Sequence, residues 1–322
     1  MDEFDIIARY FAPLATRPGA FALKDDAAAI PARSGFDLIV TTDQLAEGTD
    51  FFRHDPAATI AQKALRVNLS DLAAKGAVPD CYLLAMALPP DMTQTWLAEF
   101  ATGLGRDQLR YGVSLLGGDT SATHGPLMIT ITAFGFVPED RMLRRSGARI
   151  GNTVYVTGAI GDSAGGLAIL KREKHKLTEA QRDDLIGRYR IPQPPIVFGA
   201  ALQDLATASV DVSDGLIADL SHIAAASRAQ IEIDAELIPR SQALRALWGD
   251  EPRAILRAAT GGDDYQIAFA ADPARDGDIR AAAARADVAV TRIGAVKSGE
   301  GVTILHRGIA LTVPKAGYRH FS

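Results

Sequence analysis

The chain has 322 residues and a mass of 34.2 kDa, with 48% hydrophobic and 23% charged residues, a net charge of -5 and a pI near 5.7. This length exceeds the usual size of one core, so two domains are the default, and the composition can supply an ordinary core for each. The acidic balance gives no electrostatic reason to expect nucleic acid or an anionic membrane as a partner, and it suits a protein that takes up cations.

The single cysteine and the first residues indicate a cytoplasmic protein. Cys81 cannot form an internal disulfide, and its apolar surroundings in the sequence predict a buried structural thiol. The stretch Met1-Asp2-Glu3-Phe4-Asp5 lacks the basic and apolar parts of a signal peptide. No apolar run reaches the length that a membrane-spanning helix needs.

Predicted helices and strands alternate in the first part of the chain. They are a helix over 4–11, a strand over 36–41, a helix over 55–76, a strand over 81–88, a helix over 93–110, and strands over 113–116 and 127–137. The end of the first strand is expected to deliver Thr42 and Asp43. Asp119 is expected in a glycine turn just past the strand that ends at 116, where the backbone can approach a ligand closely.

A polar and basic stretch over 138–151 is the predicted linker to a second set of elements. These are strands over 152–157, 208–212, 265–269 and 288–290, a helix from 215 to about 226, and a helix over 281–286. Asp214 is predicted to cap the helix that begins at Gly215. The cluster Arg144, Arg145 and Arg149 in the linker is either a solvated surface or a phosphate clamp, because guanidinium groups match phosphate oxygens.

Short motifs of small or polar residues surround six aspartates. They are Asp26, Asp43, Asp71, Asp119, Asp211 and Asp214. Carboxylates are hard oxygen ligands, and Mg²⁺ is usually held by a few of them together with water and substrate phosphates. One such aspartate could be a cap or a turn residue, but the set predicts a magnesium-dependent phosphoryl-transfer site.

The segment Gly161-Asp162-Ser163-Ala164-Gly165 matches the Gly-x-Ser-x-Gly pattern of a serine hydrolase. The strand before it ends near Thr157, which leaves more chain than the tight turn of a nucleophile elbow allows, and the histidines fall in no supporting motif. We therefore interpret the segment as structural. The sequence contains no complete P-loop and no complete dinucleotide-binding glycine motif.

Eight motifs occur in a characteristic order along nearly the whole chain. They are Asp25-Asp26-Ala27-Ala28, Thr41-Thr42-Asp43, Asn68-Leu69-Ser70-Asp71, Gly117-Gly118-Asp119-Thr120, Arg145-Ser146-Gly147-Ala148, Asp211-Val212-Ser213-Asp214-Gly215-Leu216, Gly261-Gly262-Asp263-Asp264-Tyr265 and Gly317-Tyr318-Arg319-His320-Phe321. In this combination the chain resembles the thiamine-monophosphate kinases, in the superfamily of aminoimidazole ribonucleotide synthetase-like ATP-binding proteins. The resemblance implies an α+β, two-domain aminoimidazole ribonucleotide synthetase-like fold. Residues 1–140 would form an N-terminal domain that binds ATP and magnesium and pairs into a β-barrel in a homodimer, and residues 141–322 a C-terminal α/β domain.

The same resemblance implies a function and a set of site residues. The function is ATP-dependent phosphorylation of thiamine monophosphate to thiamine diphosphate, the last step of thiamine diphosphate biosynthesis, by direct in-line transfer assisted by Mg²⁺. The residues implied to hold several magnesium ions are Asp26, Thr41, Thr42, Asp43, Asp71, Asp119, Asp211 and Asp214. Those implied for ATP are Gly118, Asp119, Arg145 and Ser213, and those for thiamine monophosphate are Asp50, Asp263 and Tyr318. No general base is needed, because a phosphate nucleophile is already ionised at neutral pH.

Two positions depart from the family pattern, since Lys24 replaces a usual glycine and Asp263 a usual glutamate. A non-catalytic nucleotide-binding dimer is the alternative if these changes disable the site. Within the superfamily, a selenophosphate synthetase would carry a reactive cysteine or selenocysteine near its N-terminus, and the carbamoyl-dehydrating relative of hydrogenase maturation would end in cysteine. This sequence has neither feature. An aminoimidazole ribonucleotide synthetase would lack the thiamine-type ending.

Overall fold

The computed structural model describes residues 3–318, in two compact units that each combine helices with a β-sheet. Unit 1 comprises Met1–Leu72 and Ala77–Asp140, and unit 2 comprises Ala73–Gly76 and Arg141–Ser322. The architecture is therefore α+β, as predicted. Across the described range, no helix combines the length and the apolar character that crossing a membrane would require.

Unit 1 contains a four-stranded sheet and two long helices. Its elements are α1 (Glu3–Ile6), a π-helical turn (Ile7–Phe11), 3-10 turns (Ala12–Leu14 and Pro18–Leu23), β1 (Phe36–Ala46), α2 (Ala57–Ala74), β2 (Val78–Leu88), α3 (Gln94–Tyr111), β3 (Ser114–Ala122) and β4 (Met128–Pro138). The strand order is β1-β4-β2-β3, in which β2 and β3 are parallel and the other neighbours are antiparallel.

Two strands of unit 1 run further than the sequence predicts, and this corrects the placement of three site residues. Thr42 and Asp43 lie within β1 because its antiparallel pairing with β4 continues as far as Ala46. Asp119 lies within β3, opposite Ala85 of β2, and not in a turn. The glycines before Asp119 do not end the strand, because their backbones pair with β2 across a register shift.

Helix α2 is buried along most of its length, and a polar contact fixes it against α3. Arg66 of α2 pairs with Asp107 of α3 at 2.7 Å, and the Gln62 amide donates to the same carboxylate at 2.9 Å. Gly103 lets the helices approach closely, because a Cβ there would overlap the carbonyl oxygen of Ala58. A buried charge needs such pairing, so these contacts fix the position of α2 against α3.

Unit 2 is built around a seven-stranded sheet. Its elements are β5 (Thr153–Thr157), α4 (Asp162–Leu170), α5 (Glu179–Arg190), α6 (Ile196–Ala201), β6 (Ala206–Val212), α7 (Leu216–Ser227), β7 (Gln230–Asp234), α8 (Gln242–Trp248), α9 (Pro252–Ala259), β8 (Gln266–Ala271), α10 (Asp276–Arg285), β9 (Val290–Lys297), β10 (Gly301–His306) and β11 (Ile309–Ala310). The strand order is β11-β10-β7-β9-β5-β8-β6, with β10 and β7 parallel and the other neighbours antiparallel.

Alternate residues of the central strands of unit 2 enter two separate apolar clusters. Val154 and Val156 of β5 pack in the cluster that contains α7, whereas Tyr155 packs in the cluster that contains α10. Tyr155 stacks on Phe269 of β8 with ring centroids 5.1 Å apart. Because side chains alternate along a strand, these contacts place apolar clusters with helices on both faces of the sheet, and β5 and β8 are buried at every position.

Candidate functional site

Strand β1 and helix α2 bring three of the predicted metal residues together in unit 1. Side chains alternate along β1, so Thr41 and Asp43 share the more buried face and Thr42 lies on the exposed face. The Thr41 hydroxyl donates to Oδ2 of Asp71 on α2 at 2.5 Å. The Thr42 hydroxyl instead donates to the carbonyl of Ile131 at 3.1 Å. The side chains of Thr41 and Thr42 therefore lie on opposite faces of β1.

The carboxyl group of Asp43 is in an unfavourable electrostatic environment. Burial, followed by the negative charges of Asp71 and Asp50, raises its pKa from 3.8 to about 6. Asp50 lies in the loop after β1, where its Oδ2 accepts from the N–H of Ala46 at 2.8 Å and its carbonyl accepts from Nζ of Lys63 at 2.8 Å. Three carboxylates whose charges repel one another are a setting that a divalent cation would stabilise.

Asp119 and Gly118 lie on β3, where the backbone of β2 passes very close. A Cβ at Gly118 would overlap the carbonyl oxygen of Leu84, whereas a Cβ at Gly117 would meet only the end of the Leu83 side chain at 3.4 Å. Gly118 is therefore required by strand packing, in addition to any approach to phosphate.

A cavity of about 710 Å³ in unit 1 joins Asp119 to the predicted loop of Asp26. Asp25, Asp26 and Asp119 supply its acidic lining, and Leu116 and Phe134 are among its apolar walls. Apolar walls with a few polar groups are typical of small-molecule sites. The cavity thus places two of the predicted metal residues around a space large enough for a ligand.

The loop that carries Asp26 begins at Lys24, after a strained segment. Phe21, Ala22 and Leu23 have φ values of 47°, 54° and 55°, in the left-handed region that favours glycine. The Lys24 N–H donates to the carbonyl of Phe21 at 3.2 Å and its side chain is exposed. Lysine is accommodated here because its side chain points into solvent.

In unit 2, Asp211 is buried near the end of β6, and the turn from β6 to α7 carries Ser213 and Asp214. Asp214 does not cap α7, which corrects the sequence prediction: Gly215 occupies the N-cap position and makes no side-chain cap bond. Oδ2 of Asp219, in the first part of α7, accepts the N–H groups of Ser213, Asp214 and Gly215 at 3.0, 3.0 and 3.1 Å. One carboxylate from within the helix thus satisfies the donors that a cap residue would otherwise take.

Asp219 and His222 are site candidates that the sequence reasoning missed. With Asp214 they form the one group of three possible ligands in residues 3–318 whose donor atoms all lie within 4.8 Å of one another. Burial and then the charge of Asp214 raise the pKa of Asp219 to about 7. Burial and then the charge of Arg145 lower the pKa of His222. Their spacing of three residues on one helix, after an aspartate-rich turn, was the available signal.

The oxygen-rich donor sets fit Mg²⁺. Thr41, Asp43 and Asp71 offer carboxylate and hydroxyl oxygens, which hard cations prefer, and the pKa of Asp43 is raised by burial and then by the charges of Asp71 and Asp50. Asp214 and Asp219 offer oxygen ligands as well, whereas the imidazole of His222 is a poor ligand for Mg²⁺.

Two of the three residues predicted for the thiamine side, Asp263 and Tyr318, bond to the same turn of unit 2, whereas Asp50 lies in unit 1. The N–H groups of Tyr265, Asp263 and Tyr318 donate to three successive carbonyls, those of Val212, Ser213 and Asp214, at 2.7, 2.8 and 2.9 Å. Tyr318 is 46% exposed and is therefore not a core residue. The other residues of the predicted ending, Arg319-His320-Phe321, lie outside the described residues. The turn therefore connects Asp263 and Tyr318 to Ser213 and Asp214.

The arginine cluster of the predicted linker is exposed. Arg144, Arg145 and Arg149 all lie on the surface of unit 2, and the carbonyl of Arg145 accepts from the Ser227 hydroxyl of α7 at 3.2 Å. The charge of Arg145 also contributes to lowering the pKa of His222, in the middle of α7. Both interpretations of the cluster, solvated surface and phosphate clamp, are compatible with this position.

Ser163 is not arranged as a nucleophile. It is buried in the first turn of α4, and its hydroxyl donates to the carbonyl of Arg188 at 3.1 Å. The left-handed residue of the segment is Gly161, with a φ of 90°, and not the serine that a nucleophile elbow would strain. Cys81 is buried too, and burial raises the pKa of its thiol to about 12, as expected for a structural cysteine.

Comparisons with known proteins give one consistent family. Residues 24–137 match the family model described as AIR synthase related protein, N-terminal domain, and residues 149–307 match its C-terminal domain. The chain is 41% identical to a thiamine-monophosphate kinase of Caulobacter vibrioides, over 99% of this chain and 90% of the relative. It is also 41% identical to that of Escherichia coli K12, over 99% and 98%.

Solved structures agree with this result. The crystal structure of thiamine-monophosphate kinase from Stenotrophomonas maltophilia K279a has a TM-score of 0.82 and 38% identity, covering 88% of this chain and 89% of that one. A structure of AaThiL complexed with AMPPCP and TMP has a TM-score of 0.79 and 34% identity, covering 90% and 89%. The similarity extends over both units of the chain.

Proposed function

The chain belongs to the thiamine-monophosphate kinase family of AIR synthase related proteins, and from this membership we propose that it transfers a phosphoryl group from ATP to thiamine monophosphate, giving thiamine diphosphate and ADP. The observation that carries the proposal is similarity to thiamine-monophosphate kinases over nearly the full length. The complex of AaThiL with AMPPCP and TMP supports the assignment of a nucleotide donor and this acceptor.

Magnesium is the proposed metal. The residues that would hold several ions are Asp26, Thr41, Thr42, Asp43, Asp71 and Asp119 in unit 1, and Asp211 and Asp214 in unit 2. Thr41 and Thr42 lie on opposite faces of β1, so their side chains would not bind the same ion. When bound, Mg²⁺ would neutralise charge on the transferring phosphoryl group. The unbalanced carboxylates around Asp43 and the oxygen-only character of these side chains support this assignment.

The remaining residues would bind and align the two substrates. Gly118, Arg145 and Ser213 are proposed for ATP, and Asp50, Asp263 and Tyr318 for thiamine monophosphate. Arg145 is exposed, so its guanidinium is free of packing constraints that would prevent a bidentate contact with phosphate. The acceptor phosphate is already ionised, so the task of the chain is alignment and not deprotonation.

We further propose that residues 1–140 form the domain that binds ATP and magnesium, and that two copies of it pair into a β-barrel in a homodimer. Residues 141–322 would form the C-terminal α/β domain, and the homodimer would act in the cytoplasm. An open face on the sheet of unit 1 supports the dimer, since Leu38 and Val40 are 43% and 53% exposed there.

The decisive experiment is an incubation of the purified chain with Mg²⁺, ATP and thiamine monophosphate, followed by separation of the products. We expect thiamine diphosphate and ADP in equal amounts, and neither when the acceptor is omitted. ADP with inorganic phosphate alone would refute the kinase assignment. Binding of ATP without any turnover would favour the non-catalytic alternative, and a phosphorylated protein accumulating with ATP alone would contradict direct transfer.

A further inference from the structure

Asp264 is a buried carboxylate whose two oxygens are both bonded to one helix terminus. Its Oδ2 accepts the N–H of Gly161 at 2.7 Å and its Oδ1 accepts the N–H of Ser163 at 3.3 Å. The residue is 5% exposed, and burial raises the pKa of its carboxyl group well above the usual range, against the lowering effect of these N–H groups. A buried carboxylate needs such donors, and a fully bonded one makes the conformation around it rigid.

The segment 161–165, which matches the hydrolase pattern, supplies the N–H groups that bind this carboxylate. Gly161 has a φ of 90°, and a Cβ there would lie 2.6 Å from Cβ of Ala258. A Cβ at Gly165 would lie 2.8 Å from Cδ1 of Leu244. The two glycines therefore allow α4 to begin close to α9 and α8, with its free N–H groups directed at Asp264.

On either side of Asp264, the backbone adopts a conformation that side chains rarely allow. Asp263 and Tyr265 have φ values of 70° and 50°. Their N–H groups bond to the carbonyls of Ser213 and Val212, and the Tyr265 hydroxyl donates to Oδ1 of Asp263 at 3.1 Å. Left-handed residues persist only where the surroundings enforce them. The enforcing contacts here are the turn after β6 on one side and the start of α4 on the other.

We propose that Asp264 is a positioning residue for the acceptor substrate: by binding the N–H groups of Gly161 and Ser163, it fixes the left-handed backbone at Asp263 and so aims that carboxylate at thiamine monophosphate. This inference rests on the proposed function. Asp264 touches no substrate. Its direct bonds involve neither the N–H groups that Asp219 holds nor Arg145, so we expect the larger effect on the acceptor; Ser213, proposed for ATP, is linked to Asp263 only through its backbone carbonyl.

The test is the Asp264→Asn variant, which keeps the size of the side chain but replaces one accepting oxygen with a donor that faces an N–H group. We expect the KM for thiamine monophosphate to rise by about tenfold or more, while the KM for ATP changes by less than about twofold. Equal changes in both KM values, or no change in either, would overturn the inference. Asp234→Ala is the control, because Asp234 also accepts a backbone N–H, that of Glu236 at 2.9 Å, at a helical turn of unit 2.

A double-mutant cycle separates positioning from general loosening. If Asp264 acts through Asp263, then Asp264→Asn adds little to the acceptor KM once Asp263→Ala is present. Independent, additive effects would contradict the proposed route. Thermal melting of each variant measures the structural contribution separately.

If Asp264→Asn does not fold, a second pair of variants tests the positioning role of Asp264. Ser163→Pro removes one N–H that binds Asp264, at a helical position where proline is tolerated, and Ser163→Ala removes only the hydroxyl. We expect the proline variant to raise the acceptor KM more than the alanine variant does, with the KM for ATP unaffected in both. Equal acceptor KM values for the two variants would overturn the inference. A wild-type protein without kinase activity would instead refute the proposed function itself.

Discussion

Asp43 illustrates at the residue scale how a functional group can oppose folding. It lies partly buried beside Asp71 and Asp50, and its raised pKa of about 6 means that the folded protein ionises it less readily than the unfolded chain does. The native state is thus favoured while the carboxyl group is protonated, and it loses this advantage as the pH rises from about 4 through about 6. A residue retained under this penalty is a candidate for function.

We therefore predict opposite effects of Asp43→Asn on stability and on turnover. In the presence of a chelator near pH 8, urea unfolding should show a gain of roughly 2 kcal/mol, since one pKa unit is worth about 1.4 kcal/mol and the group is only partly buried. At pH 4 the gain should vanish. Turnover should fall by about a hundredfold or more, because the metal would lose a charged ligand and would stabilise the charge of the transition state less well.

Asp37→Asn is the matched control for this prediction. Asp37 lies on the same strand, where its Oδ2 accepts the N–H of Asp140 at 3.0 Å, and it has no place in the proposed site. Near-normal turnover in this variant would show that the effect belongs to position 43. Wild-type turnover in Asp43→Asn at ordinary magnesium concentration would exclude Asp43 from the metal site.

Tyr318 gives a second prediction at this scale. Its exposed ring can stack on the cationic thiazolium of the acceptor, and such contacts are worth about 0.5 to 2 kcal/mol. Tyr318→Ala should raise the KM for thiamine monophosphate by roughly 2- to 30-fold and leave that for ATP unchanged. Tyr318→Phe retains the ring and should behave nearly as the wild type. Equal effects of Tyr318→Ala on both KM values would contradict a thiamine contact.

At the scale of elements, the close passage of β2 and β3 gives a prediction from two adjacent glycines. Gly118→Ala should lower the melting temperature strongly and reduce turnover, because a Cβ at this position would overlap the carbonyl of Leu84 and force the strands apart. Gly117→Ala should be tolerated, since its Cβ meets only the flexible end of Leu83 at 3.4 Å. Similar melting temperatures for the two variants would contradict this account of the sheet.

Local sequence patterns identified most elements of the fold but not the ends that matter for the site. The apolar periodicity of β5, β8 and α3 is strong enough to predict each of them. The extent of β1 and β3 depends on pairing with distant strands, so the sequence placed Thr42, Asp43 and Asp119 just past the ends of strands that in fact contain them. β7, β10 and β11 were missed for the same reason, because these short strands are stabilised by neighbours far along the chain.

The acidic motifs were recognisable from sequence, whereas the bonds that organise them were not. Asp214 is of a residue type that often caps helices, yet it is Asp219 that accepts the N–H groups a cap would bind. Nothing in the local pattern indicates that Tyr318 reaches the carbonyl of Asp214, since the two lie far apart in the chain. Long-range backbone contacts of this kind become visible only in the folded structure.

At the scale of the whole molecule, the open face of the unit 1 sheet predicts a homodimer. Leu38→Glu, on this face of β1, should convert the dimer to a monomer in sedimentation velocity, because a buried unpaired charge would oppose association. Leu109→Glu is the matched control: Leu109 is 89% exposed on α3, outside the sheet. A wild-type monomer, or a dimer that both variants retain, would contradict this interface.

Unit 2 is built from two separate stretches of the chain, which limits where its gene can be recombined with that of a relative. Ala73–Gly76 belongs to this unit, and Ala73 and Ala74 share an apolar cluster with Phe198 and Leu202. Gly199 lies so near the carbonyl of Ala73 that a Cβ there would overlap it. A genetic crossover at residue 140 would therefore separate this helical end from the partners selected with it. Residues 1–140 and 141–322 are therefore not independent units of exchange between relatives. In a hybrid protein, residues 73–76 should come from the same parent as residues 141–322.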